Sequence, residues 1–332
     1  MKNITLKELS KMLDVSISTI SKALNDSHEI SISTKERVRE AAKQYNYKPN
    51  RTAINLKSGR ASTIGVILPS IKNFFLSRAL RGIENEVAKT DYNIIICVTN
   101  ESYKKEVQYV QALTNGLVDA IIIAVSEETQ VLENYDHLTN ISKYTNLLMF
   151  DRVSDDVKCD KVMVNDYEAV LNAVKELQFM GRKRIALAAT IHNLSVGQLR
   201  IKGYEDAIKD SHEPIIITGP EKRVEKELDK MIESEDIDAI IALDEEASLA
   251  TFRVGKKKDI LDSGKLALVG YAGRTISEHL TPSMTTINQH GKRVGRTAAE
   301  LLLSRLENND KEIEKVIIDS SLYKRETTNK PS

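Results

Sequence analysis

Within "VSISTISKALNDSHEIS", residues 15–31, the hydroxyl-bearing Ser16, Ser18, Thr19, Ser21 and Ser31 crowd a segment whose apolar residues Val15, Ile20 and Leu24 recur at helical spacing. Serine and threonine compete with the backbone for hydrogen bonds, so the wet face of a short helix is more often filled with Glu and Lys. Short hydroxyl side chains do, however, suit one kind of chemistry. They can lie against phosphate oxygens or base edges without the bulk that would hold a groove away. Ile17, Ser18 and Lys22 fall at the outward N-terminal end, where bases would be read, and Ser16, Thr19, Ser21 and Thr34 suit phosphates. The plainer alternative is that these hydroxyls are helix caps and solvent-facing filler. Basic flanking residues favour recognition.

Covalent chemistry has no comparable support. The sequence holds no GxGxxG after a strand, no Walker-type loop, no GxSxG elbow and no pair of its six scattered histidines at metal-binding spacing. "GKRVGRT", residues 291–297, superficially suggests a phosphate loop, but it opens a predicted helix and lacks the required spacing. The expectation is a binding protein, not an enzyme, with no cofactor and no metal.

The elements that would position the hydroxyls are legible. In "ITLKELSKMLDVS", Leu6, Leu9, Leu13 and Val15 share one face, and Thr5 followed by Glu8 has the pattern of a capping box. This helix should stop near Asp14. Ser16 then caps a second helix from Ile17 to about Leu24, which makes a helix-turn-helix. In the third helix, capped by Ser33 or Thr34, Val38, Ala41, Ala42 and Tyr45 form the apolar face, and Pro49 ends it.

Charge agrees with this division. The chain carries 48 Lys and Arg against 48 Asp and Glu, yet residues 1–60 hold 12 against 6. A basic end on a slightly acidic body suits a polyanionic partner. The 332 residues are 41% hydrophobic and 29% charged, which is ordinary globular composition. Cys97 and Cys159 are far apart and read as structural thiols of a reducing compartment. With no apolar leader and no span of membrane length, a cytoplasmic protein is expected, with no membrane partner.

From residue 61 onward, short β-rich runs alternate with amphipathic helices. "TIGVIL", "NIIICV", "DAIIIA" and "NLLMF" form a first set, and "KRIALAA", "PIIIT", "IDAIIAL" and "KLALVGY" a second. The fold class expected is an all-α helix-turn-helix headpiece and an α/β core of two doubly wound parallel-sheet lobes that resembles periplasmic binding proteins. Ligands in such sheets sit outside the carboxyl ends of the strands. Asp151 after "LLMF", Arg200 in "RIKGY" and Gln289 after "TTIN" are the candidates there. Asn73 and Phe75 would add a polar contact and an aromatic wall. A structural ion pair of Asp151 with Arg152, and a hinge role for Gln289, are the alternatives.

"TLKELSKMLDVSISTISKALN" and "STKERVREAAKQYNYKPNRTAINLKSGRASTIGVILPSI" resemble the headpiece, hinge and first core strand of the lactose-repressor/galactose-repressor (LacI/GalR) family of bacterial transcription factors. "NFFLSRALRGIE", "VDAIII", "FDR", "GRKRIALAA", "RIKGY", "LVGY" and "MTTINQ" extend the similarity along the chain in the family's order. The resemblance implies a headpiece over 1–48, joined by a hinge over 49–60 to a core over 61–330. The first lobe would take 61–162 and 290–318, the second 163–289 and 319–329. It adds Thr5, Leu6, Asn25 and Tyr47 to the DNA-contacting set, and Asn50, Arg51, Ala53 and Leu56 in the hinge, where Leu56 would wedge between base pairs in the minor groove.

The resemblance also implies a twofold homodimer on pseudo-palindromic double-stranded DNA, repression as the output, and a carbohydrate effector in the cleft touching Asp151, Arg200, Gln289 and Asp244. Three positions depart from the family's pattern. Lys22 stands where Arg is usual, Ala272 where Asp follows "VGY", and Leu243 where Asn or Ser precedes Asp244. A missing handle leaves a less hydroxylated or charged effector, control by a partner protein, or a cleft that has lost its effector, as alternatives.

Overall fold

The computed structural model describes residues 4–47, 60–234 and 237–329. The chain divides into two compact units, Met1–Ala61 and Ser62–Ser332. In the first, α1 (Leu6–Leu13), α2 (Ile17–Leu24) and α3 (Ile32–Gln44) enclose a small core of Leu9, Ile20, Ala23, Val38 and Ala41. Thr5 and Glu8 form the reciprocal capping box, and Asp14 stops α1 in the left-handed conformation at φ 52°. Ser16 caps α2 by accepting from the Thr19 N–H at 3.0 Å.

Two details of α3 correct the sequence expectation. Its cap is Ser31, whose hydroxyl accepts from the Thr34 N–H, so Ser33 and Thr34 already lie in the first turn. It ends well before Pro49. Asn46 takes φ 49°, and the Tyr47 N–H reaches back to the Ala42 carbonyl at 2.8 Å, the six-to-one bond of a Schellman motif. Tyr45 consequently sits at the helix end, exposed rather than in the core.

In the second unit each of two sheets has six strands. The first contains β1 (Thr63–Leu68), β2 (Asn93–Val98), β3 (Ala120–Ile123), β4 (Asn146–Phe150), β5 (Asp160–Val164) and β11 (Lys315–Ile318), in the order β11-β5-β4-β3-β1-β2, all parallel. The second contains β6 (Ile185–Ala189), β7 (Ile216–Thr218), β8 (Ala239–Ala242), β9 (Ala267–Gly270), β10 (Thr285–Asn288) and β12 (Ser321–Tyr323), in the order β12-β10-β9-β8-β6-β7. β12 alone runs antiparallel, against β10. Helices cover both faces, which is why β1, β3, β6 and β8 are near-continuous apolar runs with no alternation.

β5, β10, β11 and β12 go beyond the eight strands singled out from sequence. β5 was hidden by its charged opening. Asp160 is fully buried, accepting from the Arg305 guanidinium and from the Glu314 N–H at 2.9 Å, while Lys161 donates to the Val157 carbonyl at 3.0 Å. Charges buried in this way are tolerated because each has its partner.

The chain passes between the sheets three times: after β5, after β10, and between β11 and β12. The second passage leads into α13 (Gly291–Glu307), which packs on α4 (Phe74–Val87) with almost no space between backbones. A Cβ on Gly295 would lie 1.8 Å from the Ala79 carbonyl oxygen, and one on Gly82 2.2 Å from that of Lys292. This crossing fixes both helix starts, which bear on the cavity between the lobes.

Candidate functional site

In the headpiece the outward N-terminal end of α2 presents Ile17, 48% exposed, beside exposed Ser16 and Ser18, while Asn25, also exposed, caps the other end of the helix. A large apolar residue at a helix start surrounded by short hydroxyls is a surface shaped for base edges and thymine methyls. Ser18 and Ser21 make no side-chain hydrogen bond among the described residues. Ser16, Thr19 and Thr34 are more committed. The Ser16 and Thr19 hydroxyls are 2.8 Å apart, and those of Ser31 and Thr34 2.9 Å. Thr5 lies exposed with its hydroxyl on the Glu8 carboxylate at 2.8 Å. Leu6 and Tyr47 pack partly against the headpiece core. Lys22 is ion-paired with Glu29, both about half exposed, so its ammonium must exchange partners to reach a base. The hinge candidates Asn50, Arg51, Ala53 and Leu56 lie outside the described residues.

In the core, a cavity of about 710 Å³ opens between the lobes, and Asn73, Phe75, Asp151, Arg200, Asp244 and Gln289 all line it. The topology accounts for their convergence. Asn73 caps α4, accepting from the Leu76 N–H at 3.1 Å, and Phe75 follows in the first turn. Asp151 leaves the carboxyl end of β4 at φ 60°, a left-handed kink that turns the chain toward β5. Arg200 projects from α9 (Ser195–Ile208), and Asp244 caps α11 (Glu245–Lys257) after β8. Gln289 lies on the second passage between sheets, so the hinge position and the cavity wall coincide.

These residues differ in what they have left to offer. Arg200, 3% exposed, donates to Asp166 at 2.7 Å and to the Leu243 carbonyl at 2.5 Å, and its guanidinium lies 4.1 Å from the centroid of the Tyr271 ring. Asp244 accepts from the Thr190 N–H at 2.7 Å and hydroxyl at 2.8 Å, and from the Ala247 N–H at 2.9 Å. Both are held rigid by the protein itself. Asp151 is different. It is 7% exposed, and Arg152, 4.0 Å away, puts its shorter bond of 2.7 Å on Glu101 instead. Burial pushes the Asp151 carboxyl up to about 6, only partly opposed by Arg152. A carboxyl with spare hydrogen-bonding capacity at the floor of a cavity is a natural partner for a ligand hydroxyl.

Several wall residues escaped sequence reasoning. Tyr271 is buried against Arg200 with no partner for its hydroxyl among the described residues. Phe74 touches Gly273 of the other lobe, where a Cβ would meet its ring at 2.7 Å, and donates its N–H to Glu245 at 3.4 Å. Away from the cavity lining, the Gln130 amide joins the lobes by donating to the Ser195 hydroxyl at 2.9 Å and accepting from its N–H at 3.2 Å. Of the two departures in the second lobe, Ala272 lies on the wall, whereas the Leu243 side chain belongs to the core and leaves the cavity unchanged.

Comparison with known proteins converges on one family. Residues 5–50 match the family described as "Bacterial regulatory proteins, lacI family", and residues 61–326 match "Periplasmic binding proteins and sugar binding domain of LacI family". The HTH-type transcriptional repressor PurR of Vibrio cholerae serotype O1 (strain ATCC 39315 / El Tor Inaba N16961) is 29% identical over 329 residues, covering 95% of this chain and 94% of that protein. A structure of the Lac repressor dimer bound to operator and the anti-inducer ONPF superposes with a TM-score of 0.86 at 22% identity, covering 98% of this chain and 99% of that one. A LacI family regulator from Enterococcus faecium with bound ribose gives 0.71 at 24%, covering 81% and 100%. With a helix-turn-helix at one end and a two-lobed binding fold over most of the remainder, both matched by the family's models, the chain belongs to the LacI family of bacterial regulatory proteins, DNA-binding transcriptional regulators modulated by small molecules.

Proposed function

We propose that this regulator is a repressor that binds a pseudo-palindromic double-stranded operator as a homodimer, and that a carbohydrate or carbohydrate derivative in the interlobe cavity sets its operator affinity. The observation that carries the reading is the cavity itself. It lies between two lobes joined by three strands of chain, and it holds a buried carboxyl, Asp151, with spare hydrogen-bonding capacity. A ligand bridging Asp151 and Gln289 on one side and the Arg200 to Tyr271 wall on the other would bind one lobe arrangement better, and only such differential affinity can shift an equilibrium. In the headpiece, Ile17, Ser18 and Lys22 would read bases. Thr5, Leu6, Ser16, Thr19, Ser21, Asn25, Thr34 and Tyr47 would flank them on the backbone, with hinge residues 49–60 entering the minor groove.

A twofold assembly is supported by β2, an edge strand that leaves Ile95 and Ile96 37% and 49% exposed. Edges and apolar residues of this kind ordinarily need cover. The site of action is the cytoplasm, where bacterial operators lie. The test is selection of genomic fragments by the full chain, followed by thermal-shift measurements with carbohydrates. Enrichment of a palindromic sequence together with a ligand that alters the enrichment is expected. One observation favours a second reading, in which a partner protein or no effector controls the regulator: Ala272 contributes no polar group to the wall, and Arg200 and Asp244 are already satisfied internally. Enrichment that no carbohydrate alters would select that reading.

A further inference from the structure

The cavity is unbalanced in charge, and the imbalance is confined to one place. Of its basic wall residues, Arg152 and Arg200 are paired with Glu101 and Asp166 at 2.7 Å, and Arg274 and Arg325 share Glu278 at 2.8 and 3.5 Å. Arg296 takes Glu300 of its own helix at 3.7 Å. Arg78, Lys292 and Arg293 have no carboxylate partner among the described residues. The wall carboxylates Asp244, Glu245 and Glu278 are bonded elsewhere, and Asp151 has only its distant approach to Arg152.

The three free cations are neighbours because α4 and α13 cross there. A Cβ on Gly291 would lie 3.1 Å from the Arg78 Cβ and 2.7 Å from the Phe75 carbonyl oxygen, so Arg78 abuts the first turn of α13, which carries Lys292 and Arg293 and no acid. Arg78 also lies over the Phe74 ring, 5.7 Å from its centroid, which places it on the wall of the cavity. All three are solvent-exposed, whereas Asp151 is buried. The cavity therefore has a cationic mouth and a hydroxyl-binding floor.

Resting on the effector-binding reading above, we infer that the effector is a phosphomonoester with a hydroxylated body, its phosphate held at the mouth by Arg78, Lys292 and Arg293 and its hydroxyls reaching Asp151 and Gln289. Arginine and lysine together suit a dianionic phosphate, the one through paired N–H donors and the other as a compact charge. A neutral sugar would satisfy the floor and leave three like charges on the same wall uncompensated.

The test is calorimetric titration and thermal melting of the full chain with glucose 6-phosphate, ribose 5-phosphate and AMP, each beside its unphosphorylated parent, and with inorganic phosphate alone. The three esters distinguish a sugar body from a nucleotide. At least one is expected to bind tenfold or more tightly than its parent, and the Arg78→Ala, Arg293→Ala double substitution to weaken it at least tenfold while the ligand-free melting temperature stays unchanged. Equal binding of ester and parent, inorganic phosphate binding as tightly as any ester, an unaffected double variant, or no ester binding at all each overturns the inference. Fragment selection by the same protein is measured alongside. Its failure with ester binding intact refutes the regulator reading and still supports the ligand class.

Discussion

Asp151 pays an electrostatic cost to stand where it does. Its carboxyl is pushed from 3.8 to about 6, burial being the main cause. Because the folded state binds the proton more tightly than the unfolded chain, stability contributed by the neutral form is full below pH 4 and is lost as pH rises through about 6. At pH 8 the ionised group should cost the core roughly 3 kcal/mol. Asp151→Asn is accordingly expected to raise the melting temperature at pH 8 and to remove this part of the pH dependence between 4 and 6, measured by thermal denaturation across that range. Lys22 makes a different prediction. Its pair with Glu29 is exposed and worth little, so Lys22→Ala should leave headpiece stability within about 0.5 kcal/mol. The same substitution should cost specific operator binding roughly 1–3 kcal/mol, read by fluorescence anisotropy on operator and scrambled duplexes. Position after a strand made Asp151 visible in the sequence. The commitment of Arg200 to Asp166 was not visible, because the two approach only when α9 packs beside the helix that follows β5.

At the scale of elements, the headpiece was the most legible part, since its caps are local: Thr5 with Glu8, and Ser16 with Thr19, act within one turn. The start of α3 was misplaced for the same local reason, as three neighbouring hydroxyls could each have capped it and Ser31 does. Strands buried on both faces were legible as apolar runs, and β5 was not, because its charges find partners far along the chain. Glycine patterns carried the least information in sequence and the most in structure. Gly295→Ala would drive a methyl into the Ala79 carbonyl and force α4 and α13 apart. We expect it to destabilise the core by more than about 3 kcal/mol in urea denaturation, whereas Gly116→Ala, with open space around it but φ 84°, should cost about 1 kcal/mol.

For the whole molecule, charge asymmetry agreed with the division read from the hydroxyl-rich segment and predicts the salt dependence of function. In the proposed homodimer, two basic headpieces should release counterions from several phosphates on each half-site. Operator affinity is therefore expected to fall roughly 10³-fold between 50 and 200 mM salt, with a linear log–log plot, in a filter-binding titration. A slope near zero would contradict electrostatic seating of the headpiece. The cavity's partners were only partly legible, because it is assembled from the ends of strands far apart in sequence and a helix crossing whose proximity no local pattern encodes.

The interleaving of the two sheets has a consequence for synthesis. The first sheet begins near residue 63 yet is closed by β11 at 315–318, and the second waits for β12 at 321–323. As the polypeptide emerges from the ribosome, the headpiece can acquire its three helices at once, while both sheets stay unfinished until β11 and β12 have been made. A stop codon just ahead of β11 would thus release a chain able to hold DNA weakly but unable to answer to any metabolite.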